Sequence, residues 1–247
     1  MIKVTLVGTG NVSEHLKRVI SKTDEIEVIQ VLNSRSGQLE KSLETTGHQL
    51  PDIYIIAVSD DAITSVSKHF IHTKKLVVHT SGSVPMDVLP KQIRGGVLYP
   101  LQTFSKTENV AFEDIPLCIE AVRNEDLELL KKLAQILSNQ VFEVSSEQRK
   151  YLHLAAVFVN NFTNHMYTMG AAICKEQQLP FTMLQPLIRE TARKIESLHP
   201  KEAQTGPAKR NDTGTIYRHI ELLNTKKDKT IYRLLSDSIK DSHGKEL

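Results

Sequence analysis

The first residues with a chemical use are glycines. Gly8-Thr9-Gly10-Asn11-Val12-Ser13 follows the β-branched run Ile2–Val7 directly and opens a helical pattern carried by Leu16, Val19 and Ile20. Glycines in such a turn let the backbone come close to a pyrophosphate, which then rests on the partial positive charge of the helix N-terminus. Ser13 stands where a third glycine is usual, and a small residue there still permits close packing of helix on strand. Gly8, Thr9, Gly10, Asn11 and Val12 are therefore expected to hold a dinucleotide. At the end of the second strand pattern, a protein selective for NAD usually carries an acid for the ribose 2′-hydroxyl. This chain has Asn33-Ser34-Arg35-Ser36 there. Hydroxyls and a forked guanidinium suit a 2′-phosphate, so Asn33, Ser34 and Arg35 predict NADP as the cofactor.

Ligands of open α/β sheets bind beyond the carboxyl ends of the strands. The next candidates therefore lie in Ser59-Asp60-Asp61, in His79-Thr80-Ser81-Gly82-Ser83 and in Tyr99-Pro100-Leu101-Gln102-Thr103-Phe104. Val58, Ser59 and Ser81 are expected against the cofactor, and Ser83 and Gln102 against the substrate. Asp60 and Asp61 read as helix caps. His79 and Ser81 raise a hydrolase only weakly, since G-x-S-x-G is missing and no acid is evidently placed to orient the histidine.

Further along, His153, Asn160 and Asn164 are separated by seven and four residues, which places them on one α-helical face, with Asn161 and His165 on an adjoining one. Two readings follow. Internal hydrogen bonding would satisfy these groups if they are buried. Alternatively, His153 and Asn160 are catalytic, His153 exchanging a proton near neutral pH, while Asn161 and Asn164 bind substrate. After the Gly206-Pro207 turn, Lys209 and Arg210 suit an anionic substrate, and Asp212 or Thr213 caps the following helix. His69 and His72 have no carboxylate partner, so no metal is predicted.

The elements that must position these residues alternate. Short β-branched runs at 2–7, 27–32, 53–58, 76–79, 96–98 and 117–121 are interleaved with helical patterns, which argues for βαβ units and a mainly parallel sheet. The near-continuous apolar run Ile53 to Val58 predicts a strand covered on both faces. Strand signals stop after 141–144, so the expected division is a doubly wound Rossmann domain over 1–145 and an all-α domain over 146–247. In the second, a long helical pattern from Glu147 to Gln177 is stopped by Pro180. It is apolar around its whole circumference from Leu152 to Val159, which calls for burial among helices or in a subunit interface. Shorter helical patterns at 181–197, 215–223 and 230–240 flank a polar loop, His199 to Thr213.

Composition narrows the classes. The 247 residues include 31 basic and 29 acidic side chains spread along the whole length, so no stripe offers the footprint of a nucleic-acid binder. Two cysteines, Cys118 and Cys174, make neither a disulfide framework nor a metal cluster. No apolar run approaches the ~18 residues of a membrane span, and the N-terminus lacks signal-peptide architecture, so a cytoplasmic location is expected.

With these motifs in place, the chain resembles bacterial proteins that pair a Rossmann-like domain with a helical C-terminal domain of unknown function and are described as NADP oxidoreductases. The resemblance rests on Gly8 to Val12, His79 to Ser83, Tyr99 to Phe104, and Thr205-Gly206-Pro207 followed by Arg210-Asn211-Asp212. More distantly the layout is similar to 6-phosphogluconate, 3-hydroxyisobutyrate and prephenate dehydrogenases and to pyrroline-5-carboxylate reductase. That resemblance implies hydride transfer to or from a small polar metabolite, and a homodimer formed through the helical domain. One departure stands out. Where 3-hydroxyacid enzymes place a catalytic lysine shortly before an asparagine, this chain has Val157, and Lys150 is too early to replace it; His153 is the substitute proton donor. The alternative is a non-catalytic NADP-binding sensor or interaction protein.

Overall fold

The run Ile53–Ile56 is buried along its whole length, with Ile53 and Ile55 in one apolar cluster and Tyr54 and Ile56 in another. Side chains alternate between the faces of a sheet, so a strand without polar positions is one covered on both sides. The neighbouring strands divide in the same way. Val4 and Leu6 face the first cluster and Val7 the second, as Leu76 and Val78 do against Val77.

The computed structural model describes residues 1–34, 39, 50–105 and 110–243. Its seven strands are β1 (Ile2–Val7), β2 (Ile26–Leu32), β3 (Ile53–Ile56), β4 (Leu76–His79), β5 (Arg94–Pro100), β6 (Leu117–Ala121) and β7 (Val141–Glu143), in the sheet order β2-β1-β3-β4-β5-β6-β7. Neighbours are parallel except β5 and β6. The doubly wound, mainly parallel sheet is thus as expected. β5 is longer than the run read from sequence, because its antiparallel register with β6 extends from Gly96 opposite Ala121 to Pro100 opposite Leu117. From β1 the chain passes to β2 on one side and later to β3 on the other. This reversal opens a crevice at the carboxyl ends of β1 and β3, the usual ligand position in such sheets. Helices α1 (Asn11–Ile20) and α3 (Asn124–Leu137) cover the first cluster, and α2 (Asp60–Ser67) covers the second.

Beyond the sheet the chain is helical: α4 (Ser146–Ala156), a π-helical stretch Val157–Phe162, α5 (Thr163–Glu176), α6 (Gln185–Lys194), α7 (Pro200–Ala203), α8 (Thr213–Leu222) and α9 (Lys226–His243). A capping box made by Ser145 and Gln148 starts α4. Contacts group the chain into two units, Met1–His165 and Met166–Leu247. The sheet ends at Glu143, yet α4 belongs with it, because Arg149 of α4 is ion-paired to Glu120 of β6. In the second unit Ala208, Ile216 and Ile220 form a small core with Tyr232 and Ile239. Asp212 caps α8, accepting from the Thr215 N–H at 3.0 Å. The expected polar loop His199 to Thr213 contains the short α7.

The apolar circumference of the long helix calls for burial among helices or in a subunit interface. Leu154, Phe158, Val159 and Phe162 are all exposed. Cys118 is buried in β6 and Cys174 lies in α5, both free. No helix of the described residues is long and apolar enough to cross a membrane.

Candidate functional site

Gly8 is fixed by its surroundings. Its φ is +118°, and a Cβ would lie 2.2 Å from the Ala57 carbonyl oxygen. The Gly8 N–H donates to Leu32 and the Ala57 N–H to Val7, both at 2.8 Å, so the loop leaves β1 pressed between its two neighbouring strands. Gly10 is the opposite case. A Cβ there would meet nothing within 4 Å. It is the N-cap of α1 and supplies no side-chain cap to the first turn. An uncapped helix N-terminus behind an open glycine is a cradle for a phosphate group, and these residues fit a dinucleotide.

The cradle opens into a cleft of about 580 Å³. Of the residues expected against the cofactor, Gly8, Thr9, Gly10, Asn11, Val12, Ser34, Val58 and Ser59 line it, as does Gln102, expected against the substrate. Ala57, Ala62, Thr103 and Phe104 complete the wall and were not anticipated as contacts. The loop after β5 is tied to α1. Asn11 Nδ2 donates to the Phe104 carbonyl at 2.8 Å, the His15 and Phe104 rings lie 4.8 Å apart, and His15 Nε2 is 2.8 Å from the Ser105 carbonyl oxygen. The quoted motif Tyr99 to Phe104 carried this signal, but not its partner.

A second cluster sits after β4 and β5. The Ser81 hydroxyl accepts from the Ser83 and Val84 N–H groups at 3.2 and 3.0 Å, which fixes the loop. The Ser83 hydroxyl donates to Asp60 Oδ2 at 2.5 Å. Asp60 is therefore not the cap expected: Ser59 is the N-cap of α2, without a side-chain bond, and Asp60 is spent on Ser83. His79 is fully buried, and its Nδ1 accepts from the Ser81 N–H at 3.2 Å. Burial, reinforced by the Arg149 charge, pushes its pKa down to about 4. A hydrolase built on His79 and Ser81 is thus not assembled, since His79 Nδ1 is taken by the Ser81 backbone N–H and not by its hydroxyl. His153 is half-buried, with Nδ1 3.1 Å from the Tyr99 hydroxyl.

Other expected residues fall elsewhere. Asn33 is half-buried and does not line the cleft, nor do Ser81 and Ser83. Arg35 lies outside the described residues. Asn160, Asn161 and Asn164 are exposed, the first two in the π-helical stretch. Its i→i+5 bonding breaks the α spacing that aligned His153 with Asn160 and Asn164. Lys209 and Arg210 are exposed on the second unit, between Gly206 at φ +107° and Asn211 at φ +53°. Among the described residues no group of three or more His, Cys, Asp or Glu could hold a metal ion. Glu120 and Arg149 were missed as participants, for nothing in their local sequence marks them, and Tyr99 stood in a candidate loop without a role of its own.

The chain was compared with known proteins. The family model described as a domain of unknown function (DUF2520) matches residues 115–239. A Bacteroides fragilis protein described as a "putative NADP oxidoreductase" is 38% identical, with 97% of this chain and 98% of that chain aligned at a TM-score of 0.85. A Thermotoga maritima protein is 22% identical over 98% and 99% of the two chains, at 0.74. Likeness of fold alone extends to 1-pyrroline-5-carboxylate reductase from Streptococcus pyogenes, 14% identical over 99% and 97%, at 0.58. Among curated proteins none matches. With a family model covering half its length and a 38% identical relative aligned almost from end to end, the chain belongs to the DUF2520 family.

Proposed function

We propose that this protein is an NADP-dependent oxidoreductase acting on a small polar metabolite, with the cofactor in the cleft of Gly8 and Gly10. The observation that carries this reading is the contrast between the two glycines. One is locked into the sheet, and the other leaves open room in front of a helix N-terminus. The 38% identical Bacteroides fragilis relative, with its NADP description, supports it.

The sheet order supports one direction for the ligand. Ser34 follows β2, the glycine loop follows β1, Ser59 follows β3, Ser81 to Ser83 follow β4, and Tyr99 lies one residue before the end of β5. Adjacent strands are about 4.8 Å apart. A dinucleotide with its pyrophosphate on Gly10 and its ribose phosphate toward Ser34 brings its nicotinamide toward Asp60, Ser83 and His153. When bound, the nicotinamide supplies or accepts the hydride. His153 then handles the accompanying proton through Nε2, which makes no hydrogen bond among the described residues. The 2′-phosphate reading rests on Asn33-Ser34-Arg35, without an acid at the end of β2. The exposed apolar side chains of the helical region support a homodimer.

Oxidation of NADPH across panels of carbonyl, imine and hydroxyacid substrates tests this reading. Turnover that falls by orders of magnitude in His153→Gln, with cofactor binding intact, supports it. Tight binding without turnover on any panel replaces it with the sensor reading.

A further inference from the structure

The Tyr99 hydroxyl lies 3.1 Å from His153 Nδ1, and the two rings meet edge-on with centroids 6.0 Å apart. Gly82 fills the remaining space against both. A Cβ there would come within 2.6 Å of Tyr99 Cζ and 2.7 Å of His153 Nδ1. Its φ is not positive, so the side-chain pair, and not the backbone, demands a glycine. The helix carrying His153 is itself anchored one turn earlier. Arg149 donates to Glu120 Oε2 at 2.6 Å and to the Val84 carbonyl at 2.8 Å.

We propose that Tyr99 is a positioning residue for His153, its hydroxyl holding Nδ1 inward so that Nε2 is the nitrogen that exchanges a proton with the substrate. This rests on the role given to His153 above. A hydroxyl both donates and accepts. It accepts from Nδ1–H of the imidazolium and of the neutral ring left when Nε2 gives up its proton, and it donates to Nδ1 of a neutral ring that carries its proton on Nε2, so the contact survives each change of charge. A carboxylate can only accept, so it would hold the ring only while Nδ1 carries a proton. In the transfer, the proton leaves Nε2 for the substrate atom and the ring passes from cation to neutral. The Nδ1–H stays bonded to the Tyr99 oxygen, and Tyr99 neither gains nor loses a proton. Burial pushes the Tyr99 hydroxyl up to about 12, with Cys118 and Asp60 acting in the same direction and Arg149 against it. It therefore remains a phenol over the working range of the protein.

The test is the ¹⁵N imidazole spectrum of the full-length protein at a pH where the His153 ring is neutral, with the resonances assigned by their loss in His153→Gln. Tyr99→Phe shifts the Nδ1 resonance as this nitrogen loses its hydrogen-bond partner, and Gly82→Ala does the same with the hydroxyl still present. An Nδ1 resonance unmoved in both variants overturns the proposal, whether or not a substrate is known. Once a substrate is identified, Tyr99→Phe lowers kcat at least about tenfold with KM little changed, and it adds no further loss in a His153→Gln background. A fully additive loss also overturns it. If Nδ1 moves but no substrate is turned over, Tyr99 still positions the ring and only the oxidoreductase reading falls.

Discussion

Arg149 Nη1 and Glu120 Oε2 meet at 2.6 Å, joining the helix that carries His153 to the sixth strand with the guanidinium almost wholly withdrawn from solvent. Glu120 also accepts from the Ser146 N–H at 2.9 Å and from its hydroxyl at 2.6 Å. Buried charges persist only when paired and hydrogen-bonded in this way. Arg149→Met leaves the Glu120 carboxylate in the protein without its partner, at a cost of about 3–5 kcal/mol. Denaturant unfolding checks this, and a loss below about 1 kcal/mol would contradict it.

The two glycines of the first loop separate stability from binding. Gly8→Ala forces a Cβ into the Ala57 carbonyl at a positive φ, so it destabilises the fold. Gly10→Ala meets no protein atom and changes a backbone that any residue adopts, so its cost in stability stays under about 1 kcal/mol. Its methyl group nonetheless enters the space assigned to the pyrophosphate, and NADPH affinity falls about tenfold or more. Paired melting and binding curves for the two variants check this. Unchanged affinity in Gly10→Ala would remove the cradle from the account.

His79 makes stability depend on pH. Burial and the Arg149 charge lower its pKa to about 4, against about 6.5 in the unfolded chain. Between these values the unfolded state binds more protons, so stability rises with pH. The contribution is complete above about pH 6.5 and is lost as pH falls toward about 4, amounting to roughly 3 kcal/mol. Unfolding of the wild type and His79→Gln at pH 7 and pH 4.5 reads the difference in slope. Equal slopes would contradict the assignment.

Much of this was legible in the sequence, for physical reasons. Ile53–Ile56 announced a central strand because no polar residue interrupts it, and Gly8 to Val12 announced a phosphate turn because it sits between strand and helix. The reading of His153 with Asn160 on one face assumed α-helical spacing, and nothing in the sequence of Val157–Phe162 marks the switch to π-helical bonding. Asp60 sits where a cap is usual, but a partner 23 residues away claimed it. Tyr99 and Arg149 were hidden for the same reason, since their partners lie 54 and 29 residues distant in the chain.

The exposed apolar side chains make a prediction about assembly. Phe158 and Val159 of the first unit are 60% and 73% exposed. Apolar surface of this extent is usually covered by a partner. Sedimentation at micromolar concentration should give twice the mass of the chain, and Phe158→Asp should shift it toward the monomer. A monomeric wild type would contradict the homodimer.

The central claim is that the Gly8–Gly10 cleft binds NADP, and fluorescence titration of the purified protein with NADPH and with NADH tests it most directly. Saturable binding that favours NADPH and weakens when Arg35 becomes Ala is the expected outcome. Failure to bind either nucleotide would contradict it.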